Sequence, residues 1–198
     1  MKILGLLGGV ASGKSLVARQ LAELGAVVLD ADRAGHEALR LPCIEAAARE
    51  RWGDVVFGPD GHVDRSKLAK IVFATPPNGP RERKFLEELT HPEIGRRLLA
   101  QAEAQKAASP LAVLDAALIL EAGWDELCNY FAFIDVPPEV RLARALQRGW
   151  TEADFTAREA AQESLDSKRA RADVIIDNSG SAGYTQVQVQ CLWRFLVS

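Results

Sequence analysis

Short apolar runs alternate along the chain with longer stretches whose apolar residues recur at helical spacing. Residues 3–7 (ILGLL) run into Gly8-Gly9, which predicts a buried strand ending in a loop. From Lys14 the period changes: Leu16, Val17, Leu21 and Leu24 share one helical face, with Gly25 as the stop. Four more apolar runs follow, at residues 26–30 (AVVLD), 111–115 (LAVLD), 130–135 (YFAFID) and 173–177 (DVIID). Five runs, each followed by helical sequence, predict an α/β fold with a five-stranded parallel sheet covered on both faces.

The gap between the second and third runs is too long for one crossover. Residues 33–110 are therefore expected to form an inserted helical subdomain, broken at Pro76-Pro77-Asn78-Gly79-Pro80. Within it, Thr90-His91-Pro92-Glu93 has the form of a capping box opening a helix that reaches about residue 108. A second helix is expected from Thr151 to about residue 172, rich in Arg, Glu and Gln. The whole chain then reads as one domain: a core of about 1–32, 111–140 and 173–198, the insertion at 33–110, and a helical lid at about 141–172.

The strongest chemical signal lies where the first strand meets the first helix. Gly8-Gly9-Val10-Ala11-Ser12-Gly13-Lys14-Ser15 fits G-x-x-x-x-G-K-S without a mismatch. Such a loop curls so that successive N–H groups point at phosphate oxygens, and the helix that follows adds its positive N-terminus. Lys14 can then reach the β- and γ-phosphates, and the Ser15 hydroxyl can hold Mg²⁺. A plain Gly/Ser turn before a helix would not demand the Lys-Ser pair. No guanine-reading N-K-x-D exists in the chain, and the two D-x-x-G strings, from Asp32 and Asp177, are at chance level. A GTP switch is thereby disfavoured against a small-molecule kinase.

Composition narrows the setting. Net charge is −3 over 198 residues, so no global positive field recruits nucleic acid or acidic membranes. Cys43, Cys128 and Cys191 lie far apart and form neither a disulfide framework nor a metal-type pair. The N-terminal apolar run is too short for a signal core, and no stretch approaches a membrane span. A cytoplasmic protein, monomeric or a small homo-oligomer, without nucleic-acid or membrane partners, is expected.

A kinase also requires an acceptor site, a base and cations. Asp30 and Asp32 flank Ala31 after the second strand, at the sheet edge where doubly wound proteins bind ligands. Either an acceptor-facing base or a helix cap accounts for such a carboxylate. Asp115 ends the third strand, as a Mg²⁺-side acid or a solvated strand end. Arg141, Arg144 and Arg148 lie on one helical face, as phosphate-binding lid cations or as a solvated face paired with Glu139 and Glu152. His36, His62 and His91 make no metal-ligand cluster, and His91 is simplest as a helix-entry residue.

Taken together, GLLGGVASGKS, VVLDAD, LTHPEI, LDAALILEAG, IDVPPEVRLARALQRG, AREAAQ and KRARADVIIDNSG resemble the dephospho-CoA kinase family over about residues 1–180. The resemblance implies a P-loop kinase fold and transfer of the ATP γ-phosphate to the ribose 3′-hydroxyl of dephospho-CoA, giving coenzyme A. The alternative is another small-molecule P-loop kinase acting on a nucleoside or nucleotide. By that likeness Asp32 is the base, Lys14 and Arg148 are catalytic cations, and Arg144 and Arg158 are further lid candidates. ATP falls to Gly9, Ala11, Ser12, Gly13, Lys14, Ser15, Leu16, Arg148 and Asn178, the last near the adenine. Asp32, His91 and Glu121 fall on the dephospho-CoA side. The chain departs from the family pattern at Ala11 (a glycine), Leu16 (a threonine), Gly149 (often an aspartate) and residues 117–121, which lack the usual proline and aromatic. Because alanine favours negative φ, the loop is expected to keep φ < 0 at Ala11.

Overall fold

The structure, a computed structural model, describes residues 1–198. The chain divides into two compact units, Met1–Asp30 with Leu99–Ser198, and Ala31–Leu98.

The first unit is built on strands β1 (Lys2–Gly8), β2 (Val27–Leu29), β3 (Leu111–Leu114), β4 (Tyr130–Asp135) and β5 (Val174–Asp177). They form one sheet in the order β2-β3-β1-β4-β5, with every pairing parallel. Helix α1 (Lys14–Glu23) and the C-terminal α9 (Ala182–Val197) pack on each other. They form one buried cluster with Leu4 and Leu6 of β1, Val113 of β3, Ile134 of β4 and Ile176 of β5. All of β1 after Lys2 is buried, which is why its sequence is continuously apolar rather than alternating. Gly5 interrupts that run for a steric reason: a Cβ there would lie 2.8 Å from the Phe131 ring and 2.9 Å from Cys128 Sγ.

Beyond β4 come α6 (Pro138–Gln147), α7 (Glu152–Ala160) and α8 (Leu165–Ala170). The single helix expected over 151–172 is thus two. Thr151 and Asp154 make a reciprocal capping box for α7, and Ser164 caps α8 by accepting from the Ser167 N–H at 3.1 Å. A serine that starts a helix four residues after the last one has ended reads as an ordinary polar residue in a helical pattern.

The second unit holds α2 (Ala31–Ala38), α3 (Pro42–Trp52), a 3₁₀ turn at Gly53–Val56, α4 (Arg65–Val72) and most of α5 (Asn78–Gln105). Ala48, Val56, Phe57, Leu68 and Val72 form its core, with Trp52 and Leu86 packed against it. Helix α5 begins at Asn78, just past Pro76-Pro77, but it does not restart at Thr90. Instead it runs through Pro92, and the Thr90 hydroxyl donates back to the Leu86 carbonyl at 2.8 Å. An interior proline costs a helix about 3 kcal/mol. Burial of Ile94 and Leu98, at roughly 1.5–3 kcal/mol per side chain, offsets that cost. His91 is therefore a mid-helix residue and not a helix-entry residue.

Candidate active site

The turn from β1 into α1 is shaped by glycines and by what packs around them. Gly8 and Gly13 have φ of 145° and 92°, conformations that side chains avoid. Ala11 also has positive φ, at 58°, which overturns the expectation of negative φ there. Its methyl lies in an apolar cluster with Val10, Ala145 of α6 and Phe155 of α7, with Leu142 and Trp150 beside them. That burial compensates a left-handed conformation costing an alanine about 1–2 kcal/mol.

Inside the loop, donors outnumber acceptors. Ser12 N–H donates to Gly9 O at 3.2 Å, and Leu16 and Val17 N–H donate to Gly13 O at 2.9 and 3.3 Å. The N–H groups of Ala11, Gly13, Lys14 and Ser15 have no acceptor. The Ser12 hydroxyl is buried without a partner. Unpaired backbone donors gathered at a helix N-terminus make an anion site. The Ser15 side chain is exposed and unengaged, as a cation-binding hydroxyl must be.

Lys14 curls over the loop, its Nζ donating to Gly8 O at 3.1 Å and Gly9 O at 3.2 Å. Burial pushes its pKa down from 10.5 to about 8, opposed by the charge of Asp115 and, more weakly, of Glu121. Lys168 and Arg141 push it the same way as burial. Lys168 comes from α8, is 2% exposed, and donates to Gln162 Oε1 at 2.9 Å while pairing with Glu121 Oε1 at 3.2 Å. The same Glu121 oxygen accepts the Glu163 N–H at 2.7 Å, so this carboxylate is engaged by residues 163–168.

The arginine face divides. Arg141 is 2% exposed, hydrogen bonded to Val136 O at 3.2 Å and ion-paired with Glu159, not with Glu139 or Glu152. Arg144 donates to Asn178 O at 2.8 Å and Ser12 O at 3.5 Å. Arg148, the C-cap of α6, is exposed and pairs with nothing in the chain. Arg158 lies over the Trp150 ring at 4.3 Å. Asn178 is buried, its Nδ2 donating to Ser12 O at 2.7 Å and its Oδ1 accepting from Thr185 Oγ1 at 2.8 Å, so its carboxamide braces the loop from behind. Leu16 sits half-buried in the first turn of α1.

Beside Gly9, past the carboxyl ends of β4 and β5, opens a cleft of about 430 Å³ lined among others by Asp135, Pro137, Asp166, Arg169, Asp177 and Ser179. In the second unit, Asp32 stands exposed in the first turn of α2, its carboxylate making no bond within the chain. His91 is half-buried in α5, and burial lowers its pKa. The loop residues, Glu121 and Asn178 are thus assembled within the first unit. Asp32 and His91 belong to the second. Sequence reasoning passed over Lys168 and Glu159, since a lysine in a KRAR run gives no sign of burial and a glutamate in a polar helix none of its pairing with a buried arginine.

A parallel sheet in the order β2-β3-β1-β4-β5, with a phosphate loop leaving its central strand, defines a P-loop kinase. The sequence model of the family described as dephospho-CoA kinase matches residues 2–183. A dephospho-CoA kinase of Symbiobacterium thermophilum is 42% identical over 199 residues, covering 98% of this chain and 81% of that protein. One of Bacillus licheniformis is 38% identical, with 96% and 94% covered. The crystal structure of TT1252 from Thermus thermophilus superposes with a TM-score of 0.80 at 32% identity, covering 100% of this chain and 98% of that one. The chain belongs to the dephospho-CoA kinase family. A shikimate kinase from Acinetobacter baumannii shares the fold, with a TM-score of 0.52 at 18% identity over 100% of this chain and 93% of that one.

Proposed function

We propose that this protein transfers the γ-phosphoryl group of ATP to the ribose 3′-hydroxyl of dephospho-CoA, giving coenzyme A and ADP. One observation carries the nucleotide half: four unpaired backbone N–H groups and the Lys14 ammonium converge on one turn, where only a polyanion satisfies them all. Family membership supplies the acceptor. In the reaction a bond forms between the 3′-oxygen and the γ-phosphorus as the bond to the β–γ bridging oxygen breaks, and the hydroxyl proton leaves to a base.

Asp32 is that base: an exposed carboxylate with no partner in the chain is free to accept a proton. Lys14 neutralises charge on the transferring group, and Arg148, exposed and unpaired, adds to it from the end of α6. Gly9, Ala11, Ser12, Gly13, Ser15 and Leu16 present the loop to the phosphates, and Ser15 Oγ would hold Mg²⁺, which would supply positive charge against the phosphates. The cleft beside Gly9, where Asp135, Asp166 and Asp177 face Arg141 and Arg169 beside apolar Phe133, Pro137 and Leu165, suits the uncharged nucleoside, with Asn178 assigned near it. His91 and Glu121 are assigned to the dephospho-CoA side, residues 33–110 to its binding, and 141–172 to the lid. No helix is long and apolar enough to cross a membrane; the cytoplasm is assigned to the chain because ATP and dephospho-CoA are water-soluble.

The test is mass spectrometry of the product formed from ATP, Mg²⁺ and dephospho-CoA. The expected product is heavier than the acceptor by one phosphoryl group, borne on the 3′-oxygen. Unchanged dephospho-CoA, with ADP released in the presence of another nucleoside or nucleotide acceptor, overturns the reading.

A further inference from the structure

The ion pair between Arg141 and Glu159 is placed where stability alone gives no reason for it. Arg141 is buried and Glu159 partly so, and an ion pair that gives up hydration is often no better than apolar residues of similar volume. Its contacts converge on one residue of the phosphate loop, Val10. Glu159 Oε1 accepts the Val10 N–H at 3.1 Å, and Arg141 Nη1 donates to Val10 O at 3.4 Å. Gly9 leaves the space these groups fill, since a Cβ there would lie 2.5 Å from Arg141 Nη1 and 3.0 Å from Glu159 Oε1. The next two residues are held from the same helices: the Ala11 methyl packs on Ala145 and Phe155, and Arg144 donates to Ser12 O at 3.5 Å.

We propose that Arg141 and Glu159 are positioning residues for nucleotide binding: they hold Val10 by its N–H and by its carbonyl, and so fix the outer turn of the phosphate loop. With Val10 N–H taken by Glu159 and Ser12 N–H by Gly9 O, the loop keeps open the four N–H groups aimed at phosphate. Neither residue touches the reacting atoms in this account. The carboxylate at the rim is neutralised by Arg141, so it holds the loop without repelling the ligand. The inference rests on the reading that the loop binds ATP. It does not depend on the acceptor.

The experiment compares Glu159→Ala, Glu159→Gln and Arg141→Lys with the wild type, using calorimetry for ATP affinity and steady-state kinetics for each substrate in turn. A misplaced phosphate contact is expected to weaken ATP binding in Glu159→Ala by roughly 10–100-fold while KM for dephospho-CoA stays within about twofold. Glutamine still offers an oxygen to Val10 N–H, so Glu159→Gln is expected to retain ATP affinity within about threefold. Arg141→Lys keeps the charge but not the fork, and is expected to resemble Glu159→Ala. A fall in melting temperature with ATP affinity unchanged overturns the proposal, as does Glu159→Gln being as weak as Glu159→Ala. Should Glu159→Ala fail to fold, Arg141→Lys decides alone: weaker ATP binding supports the clamp and wild-type binding overturns it. A wild-type protein that binds ATP without phosphorylating dephospho-CoA removes the acceptor assignment and leaves this comparison intact.

Discussion

Replacing Lys14 by methionine should stabilise the empty protein while destroying its activity. The ammonium is held where water solvates it poorly, and its pKa falls from 10.5 to about 8. At ~1.36 kcal/mol per pKa unit, that fall corresponds to ~3 kcal/mol of strain on the folded state at neutral pH. Methionine keeps the stem's packing but loses the hydrogen bonds to Gly8 O and Gly9 O, each contributing about 0.5–1.5 kcal/mol. The expected net gain is about 1 kcal/mol, or roughly 2–4 °C in melting temperature for a chain of this size. The pH dependence fixes the cause. A group whose folded pKa lies below its unfolded value costs stability fully below the folded pKa, and that cost fades as pH rises towards the unfolded one. The advantage of Lys14→Met should therefore be largest below pH 8 and should reverse before about pH 10.5, where the strain has faded and only the lost hydrogen bonds remain. Calorimetric melts at pH 7 and pH 10 measure both arms, and a turnover assay should show a loss of several orders of magnitude. A mutant less stable than wild type at pH 7, with a difference that does not change by pH 10, refutes the reasoning.

Asp32→Asn should lower kcat by roughly 10²–10⁴-fold with little change in the Kd of ATP, since it removes the proposed proton acceptor and keeps the shape. Asp30→Asn is the control, and the reverse pattern in steady-state assays would move the base to Asp30. Arg148→Ala should raise KM for ATP while shifting stability by under ~1 kcal/mol, because this exposed side chain has no partner in the chain to lose. Gly13→Ala should abolish ATP binding measured by calorimetry: its φ is 92°, and an added Cβ would overlap the Asn178 carboxamide that braces the loop.

The sheet was legible because each strand is a short apolar run with helical sequence behind it, a pattern that burial on both faces imposes. The phosphate loop was legible because a glycine spacing and a Lys-Ser pair are local requirements of anion binding. What failed was punctuation inside helices. At Thr90-His91-Pro92-Glu93 every local cue favours a helix start, yet burial of Ile94 and Leu98 carries α5 through the proline. Tertiary packing there outweighs local preference, and no window of a few residues contains that information.

Charge shows the same division more sharply. Arg141, Arg144 and Arg148 share one helical face, and their spacing alone does not tell them apart, but the fold gives them three different surroundings. Arg141 is buried against Val10 and Glu159, Arg144 is bonded to Asn178 and Ser12 backbone oxygens, and Arg148 alone stands free in solvent. Their difference is set by the loop and by α7, elements far from α6 in sequence. Ala11 belongs to the same arrangement. An alanine at φ 58° is a poor choice for a loop in isolation, but its methyl enters the cluster that joins the loop to Ala145 and Phe155. The departure from glycine that reads as a defect in the motif is therefore a contact in the fold. It ties the glycine-rich turn to the helices that carry Arg141, Arg144 and Arg158.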